Sequence, residues 1–216
     1  MSLELKKSDV IVFEGDSLTR RDMSVNLDDW PFLRMMNWDD TWVNTVQELL
    51  FSWHPELELK FHTAAVGGSH IGNLLERLDA NVLAFKPDWI IITVGNNDTN
   101  IFSVEEFAVK LREYVSLVAS KSKAKILFLG GFKKAKTFVG EENFFTSSVA
   151  YHEILEIIAL ESGNYFLDIG RFIVEKSETL FSQSDAHTVY GDGVHFNKLG
   201  NNIIAGEVLK VFGYVN

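Results

Sequence analysis

The sequence contains no cysteine. That absence removes a disulfide framework, a Cys-based zinc site and a thiol nucleophile together. Proline is nearly as scarce, with 3 residues in 216. No Ser/Gly/Pro-rich linker, low-complexity tract or internal repeat interrupts the chain, so one domain over residues 1–216 is the economical expectation. Long apolar runs are also missing. Trp89 to Val94 is among the longest, far short of the roughly 20 residues needed to span a bilayer. Met1 to Lys7 lacks the apolar core of a secretory leader. A soluble, cytoplasmic protein with no stable membrane insertion is therefore expected. Positive charge is in deficit as well: the formal net charge is −10, which argues against the broad basic surface that nucleic acid or an anionic membrane requires.

What is present is ordinary for a folded chain, with 46% hydrophobic and 23% charged residues. Short β-branched or apolar runs fall at Val10 to Phe13, Leu57 to His62, Trp89 to Val94, Lys125 to Leu129 and Tyr165 to Leu167. The two central runs are almost continuously apolar, as parallel strands covered on both faces are. Between them, apolar residues recur at helical spacing: Trp42, Val46, Leu49 and Leu50; Ile71, Leu74, Leu75 and Leu78; Phe107, Leu111, Tyr114, Val115 and Val118; Tyr151, Ile154, Leu155 and Ile158; Ile203, Ile204, Val208 and Val211. This alternation predicts an α/β fold, a three-layer α/β/α sandwich around a mostly five-stranded parallel sheet. Reactive loops in such sheets gather at the carboxyl ends of the strands.

One connection is long for a strand-to-helix link. Some twenty residues separate Ser17 from a helix expected to begin near Asp39, and they carry Trp30, Phe32, Met35, Met36 and Trp38. The segment Arg20 to Asp40 reads equally as a loop folded back on the core and as a wall, lid or homo-oligomer contact.

A serine hydroxyl attacks only when a base accepts its proton, and that base is usually a histidine oriented by a carboxylate. Ser17 follows a strand end and Gly15, where the chain can turn tightly and present the side chain. Taken alone, Gly15-Asp16-Ser17-Leu18 is equally a turn with local hydrogen bonds or a helix cap. Near the other end, Asp192-Gly193-Val194-His195 places an acid three residues before a histidine, a spacing that none of the other five histidines has. His54, His62 and His152 read as ordinary surface or core residues, while His70 and His187 lie beside the candidate site loops. Two further strand ends offer donors for a developing oxyanion. Gly67-Gly68-Ser69 exposes backbone N–H groups at a helix start, and Gly95-Asn96-Asn97-Asp98 supplies a side-chain amide.

These blocks, in this order, resemble those of the SGNH (GDSL-type) hydrolases over nearly the whole chain, from about Val10 to about Phe212. The resemblance implies a flavodoxin-like sheet, with Ser17 as nucleophile and Asp192 and His195 as acid and base. Gly68, rather than Gly67, would be the oxyanion glycine, Asn97 the side-chain donor and the Ser17 N–H the third donor. Thr63 stands where the second block commonly opens with Asn, and Ala65 where it has a middle glycine.

No Gly-x-Ser-x-Gly elbow, Walker-type loop, dinucleotide Gly-x-Gly-x-x-Gly fingerprint or His-Glu-x-x-His motif occurs, so no metal or nucleotide cofactor is implied. The expected activity is hydrolysis of a small-molecule ester, a short acyl or O-acetyl ester before a long lipid, through an acyl-enzyme on Ser17. Two other classes stay open at this stage. One is a catalytically silent module that keeps the fold; the other is a flavodoxin-like binder holding a phosphate at the Gly15–Ser17 turn, which would leave Asp192 and His195 unused.

Overall fold

The computed structural model describes residues 3–19, 41–131, 148–181, 189 and 195–215. Five strands form one parallel sheet: β1 (Val10–Glu14), β2 (Lys60–Thr63), β3 (Trp89–Thr93), β4 (Lys125–Gly130) and β5 (Tyr165–Asp168), in the order β2-β1-β3-β4-β5. Among the described residues six α-helices accompany them: α1 (Trp42–Trp53), α2 (Ile71–Arg77), α3 (Val104–Lys121), α4 (Val149–Glu161), α5 (Ile169–Phe181) and α6 (Lys198–Val211). Among the described residues no helix is long and apolar enough to cross a membrane.

The period-2 alternation of the strands decides the layers. Ile11, Phe13, Trp89, Ile91, Leu127 and Leu129 pack on one face with residues of α1, α5 and α6. Val12, Ile90, Ile92, Ile126 and Phe128 pack on the other with residues of α2, α3 and α4. All five residues of β3 are buried, which accounts for its apolar run from Trp89 to Ile92. The strand order explains the division of helices. Passing from β1 to β2 moves one way across the sheet, whereas β2 to β3, β3 to β4 and β4 to β5 move the other way. Crossovers of a single hand then lie on opposite faces. The connections leaving β1 and β3 diverge, and a crevice opens between their carboxyl ends. That is the usual ligand position in an open parallel sheet.

Two elements differ from expectation. The second strand starts at Lys60 rather than Leu57, because Leu57 closes a 3-10 turn and Glu58 takes a left-handed φ of 49°. Helix α5 has no counterpart in the periodic patterns above, although Ile169 and Ile173, one turn apart, are fully buried. The start expected near Asp39 lies outside the described residues; α1 is described from its N-cap, Thr41, whose side chain accepts the Asn44 N–H. The Arg20 to Asp40 segment and His187 also lie outside the described residues.

Candidate active site

The turn that carries Ser17 begins on an unusual backbone. Gly15 has φ +132°, and a Cβ there would sit 2.3 Å from the Thr93 carbonyl oxygen on neighbouring β3. Only glycine allows the chain to leave β1 so close to β3. Asp16 then folds its side chain inward, where Oδ1 accepts from the Leu18 N–H at 2.9 Å and the Thr93 hydroxyl at 3.0 Å. Thr19 tightens the turn, its Oγ1 lying 2.6 Å from Thr93 Oγ1. Trp42 at the start of α1 donates its indole N–H to the Leu18 carbonyl at 2.8 Å. The local hydrogen bonds of the turn are thus made by Asp16, and Ser17 remains half-buried with its hydroxyl free for other work.

That hydroxyl meets a histidine. Ser17 Oγ lies 2.8 Å from His195 Nε2, within the range in which a proton passes between a nucleophile and its base. The histidine is held by the start of α6. Asn197 caps that helix by accepting the Gly200 N–H, a contact worth about 1 kcal/mol. Asn201 donates to the carbonyls of Phe196 and Asn197 while its Oδ1 accepts the Trp42 N–H. One buried amide therefore ties the His195 turn to the helix that anchors the Ser17 turn. Asp192 lies outside the described residues.

The donor side is assembled from β2 and β3. Gly68 has φ +74° and is exposed. The next residue, Ser69, presents its carbonyl to Asn97 Nδ2 at 3.0 Å, and the same amide reaches Asp16 Oδ2 at 3.4 Å. Asn97 therefore touches both the nucleophile turn and the glycine turn. Asp98 fixes the pair from behind, accepting the Ile71 N–H at 2.8 Å and the Gly95 N–H at 2.9 Å. An open groove of about 370 Å³ runs beside Gly68, with Ser69, Asn73, Glu76 and Arg77 among its walls.

Burial shifts several of these groups. It pushes the Asp16 carboxyl up to about 6, against the pull of the Leu18 and Thr93 hydrogen bonds. Asp98 is raised by burial too, with the Ile71 and Gly95 N–H groups opposing. His152, buried against Gly95, is pushed down to about 4 by desolvation.

The sequence reading missed Glu14 and Arg77. Glu14 is wholly buried at the end of an apolar strand, and Arg77 reaches it from the last turn of α2 with Nε 2.9 Å from Oε1. The signal was a carboxylate closing an otherwise apolar strand, which demands a cation. Burial raises the Glu14 carboxyl, with the Arg77 guanidinium and the Gly15 N–H opposing. Of the remaining histidines, His70 begins α2 and packs edge-on against Phe102, His62 stacks on Phe85, and His54 lies 3.1 Å from Glu56.

Comparison with known proteins identifies the family and the fold. The model of the GDSL-like lipase/acylhydrolase family matches residues 13–203. An acetylxylan esterase of Geobacillus stearothermophilus is 26% identical over 181 residues, covering 80% of this chain and 81% of that one. Among solved structures, Axe2, an acetylxylan esterase from the same organism, superposes with a TM-score of 0.77 at 22% identity over 99% of both chains. An α/β hydrolase enzyme from the metagenome of Lake Arreo, Spain, gives 0.77 at 19% over 98% of both. At such identities the structural likenesses speak for the fold. Given a family match across most of its length, the chain belongs to the GDSL-like lipase/acylhydrolase family and is a serine hydrolase of carboxylic esters.

Proposed function

We propose that the protein cleaves a short acyl or O-acetyl ester of a small molecule through an acyl-enzyme on Ser17. The 2.8 Å approach of Ser17 Oγ to His195 Nε2 carries the reading. Oγ bonds to the ester carbonyl carbon as its proton moves to His195 Nε2, and Asp192 orients the imidazole through its other nitrogen. The carbonyl oxygen gains negative charge and is held by the N–H groups of Ser17 and Gly68 and by Asn97 Nδ2. Collapse breaks the carbon–oxygen bond to the alcohol, which takes the proton from His195. Water then attacks the acyl carbon and passes a proton to His195. The carboxylic acid leaves and Ser17 regains its proton.

One observation favours a small ester: the Geobacillus stearothermophilus relative is an acetylxylan esterase. A panel of esters varying in acyl length and alcohol, run with Ser17→Ala beside the wild type, tests the proposal. Turnover is expected to fall off beyond short acyl chains and to vanish in Ser17→Ala. Undiminished hydrolysis by Ser17→Ala would refute the nucleophile. A catalytically silent module predicts no turnover at all and no labelling by a fluorophosphonate.

A further inference from the structure

A buried ion pair is a poor source of stability, since desolvating both charges cancels most of their attraction. One nevertheless sits immediately before the nucleophile turn, with Glu14 wholly buried and the Arg77 side chain 12% exposed. Its contacts are distributed in a particular way. Both polar backbone groups of Gly15 belong to the pair: the N–H donates to Glu14 Oε1 at 2.9 Å, and the carbonyl accepts from Arg77 Nη2 at 2.8 Å. The peptide planes that launch Asp16 and Ser17 are thereby fixed. Arg77 uses Nε and Nη2 on Glu14 Oε1, and its remaining nitrogen, Nη1, donates to Ser69 Oγ at 2.7 Å. Ser69 in turn follows Gly68, and its carbonyl holds Asn97 Nδ2. One guanidinium thus grips the nucleophile turn with one edge and the donor turn with another. The Val66 N–H, 3.0 Å from the Gly15 carbonyl, adds a second strut between the same turns.

We propose that the Glu14–Arg77 pair is a positioning device that sets Ser17 Oγ against the oxyanion donors Gly68 and Asn97, so that both residues govern turnover rather than substrate binding. The proposal rests on Ser17 being the nucleophile. A tie of this kind matters because transition-state contacts tolerate little error: displacement by about 1 Å costs on the order of 100-fold in rate. Lysine is no substitute, since a single ammonium cannot reproduce a planar fork aimed at three acceptors.

The test uses three variants: Arg77→Lys, Ser69→Ala and the double change Glu14→Gln with Arg77→Met. The double change removes both charges together and so leaves no orphaned ion. For each, kcat and KM on p-nitrophenyl acetate, the rate of fluorophosphonate labelling and the thermal midpoint are measured. Arg77→Lys is expected to lose about 10- to 100-fold in kcat with KM within about threefold. Ser69→Ala, which cuts only the link between turns, is expected to lose about 3- to 10-fold. The double variant should melt near the wild type and still lose at least about tenfold in kcat. A folded variant set with wild-type kcat and labelling rate, or with its whole loss in KM, overturns the positioning role while leaving the serine in place. Should the double variant fail to fold, Arg77→Lys and Ser69→Ala decide by the same criteria. A wild-type protein that hydrolyses the ester but labels nowhere on Ser17 overturns the serine reading and this proposal with it.

Discussion

Replacing Gly15 by alanine tests the claim that the Ser17 turn depends on the closeness of two backbones. An added Cβ would stand 2.3 Å from the Thr93 carbonyl oxygen, 2.5 Å from its hydroxyl and 2.9 Å from its nitrogen, at a φ of +132°. Thr93 is the last residue of a buried strand paired on both sides, so it has no room to retreat. Backbone strain of this kind costs about 1–3 kcal/mol, and forcing an extra methyl into packed structure costs about 1–3 kcal/mol more. At about 2–4 °C per kcal/mol for a chain of this size, the melting midpoint should fall by roughly 5–20 °C. Because Ser17 is two residues away, kcat should fall too, by about 100-fold for a shift of 1 Å. Gly68→Ala is the matched control. Its φ is +74°, but the added Cβ meets nothing within 4 Å, so only the left-handed backbone term of about 1–2 kcal/mol applies. Circular-dichroism melts and p-nitrophenyl acetate turnover measure both variants. A Gly15→Ala protein that melts within about 2 °C of Gly68→Ala, less than the equivalent of about 1 kcal/mol, would refute the steric argument.

Other substitutions separate the site groups. Asn97→Ala is expected to lower kcat by about 100- to 1000-fold with little change in KM, as loss of an oxyanion donor does; a loss below about tenfold would remove Asn97 from that role. Asp16→Asn tests the buried carboxyl. Burial lifts it to about 6 from the 3.8 of an ordinary aspartate, so the folded protein binds the extra proton between those values. The stability that Asp16 contributes is full below about pH 4 and lost as pH rises through about 6. In urea melts, wild type minus Asp16→Asn should therefore increase from pH 7 to pH 4, by up to about 3 kcal/mol; a difference independent of pH would refute it.

The parts of this molecule that could be read from the sequence are those in which neighbours along the chain are neighbours in space. The buried strand Trp89–Thr93 announces itself by five consecutive apolar or β-branched residues. Helix α3 does so by Phe107, Leu111, Tyr114 and Val118 on one face, with Ser103 and Glu106 forming its capping box. The turns at the ends of β1, β2 and β3 could also be read, because glycine and Asx-rich stretches mark where a parallel strand stops. Glu14 and Arg77 could not be paired in advance. They lie 63 positions apart, and nothing in either local pattern names the other. Asn201 is similar: inside α6 it resembles any polar helical residue, and its role follows only from the docking of α6 on α1. Helix α5 escaped because it starts at Ile169, directly after β5 ends at Asp168, so no turn separates the two patterns along the chain.

The 178 positions between Ser17 and His195 have a consequence for how the protein comes into being. A ribosome adding about 5–20 residues per second delivers the histidine roughly 10–35 s after the serine. Throughout that interval the Ser17 hydroxyl lacks the imidazole it meets in the folded protein. The helix that follows His195 is also the one whose Asn201 latches onto Trp42, so the Ser17 hydroxyl meets His195 only as α6 seats against α1. Ester hydrolysis by the mechanism proposed above then reports that seating. In a refolding experiment its return should lag the recovery of sheet and helix and coincide with the docking of α6.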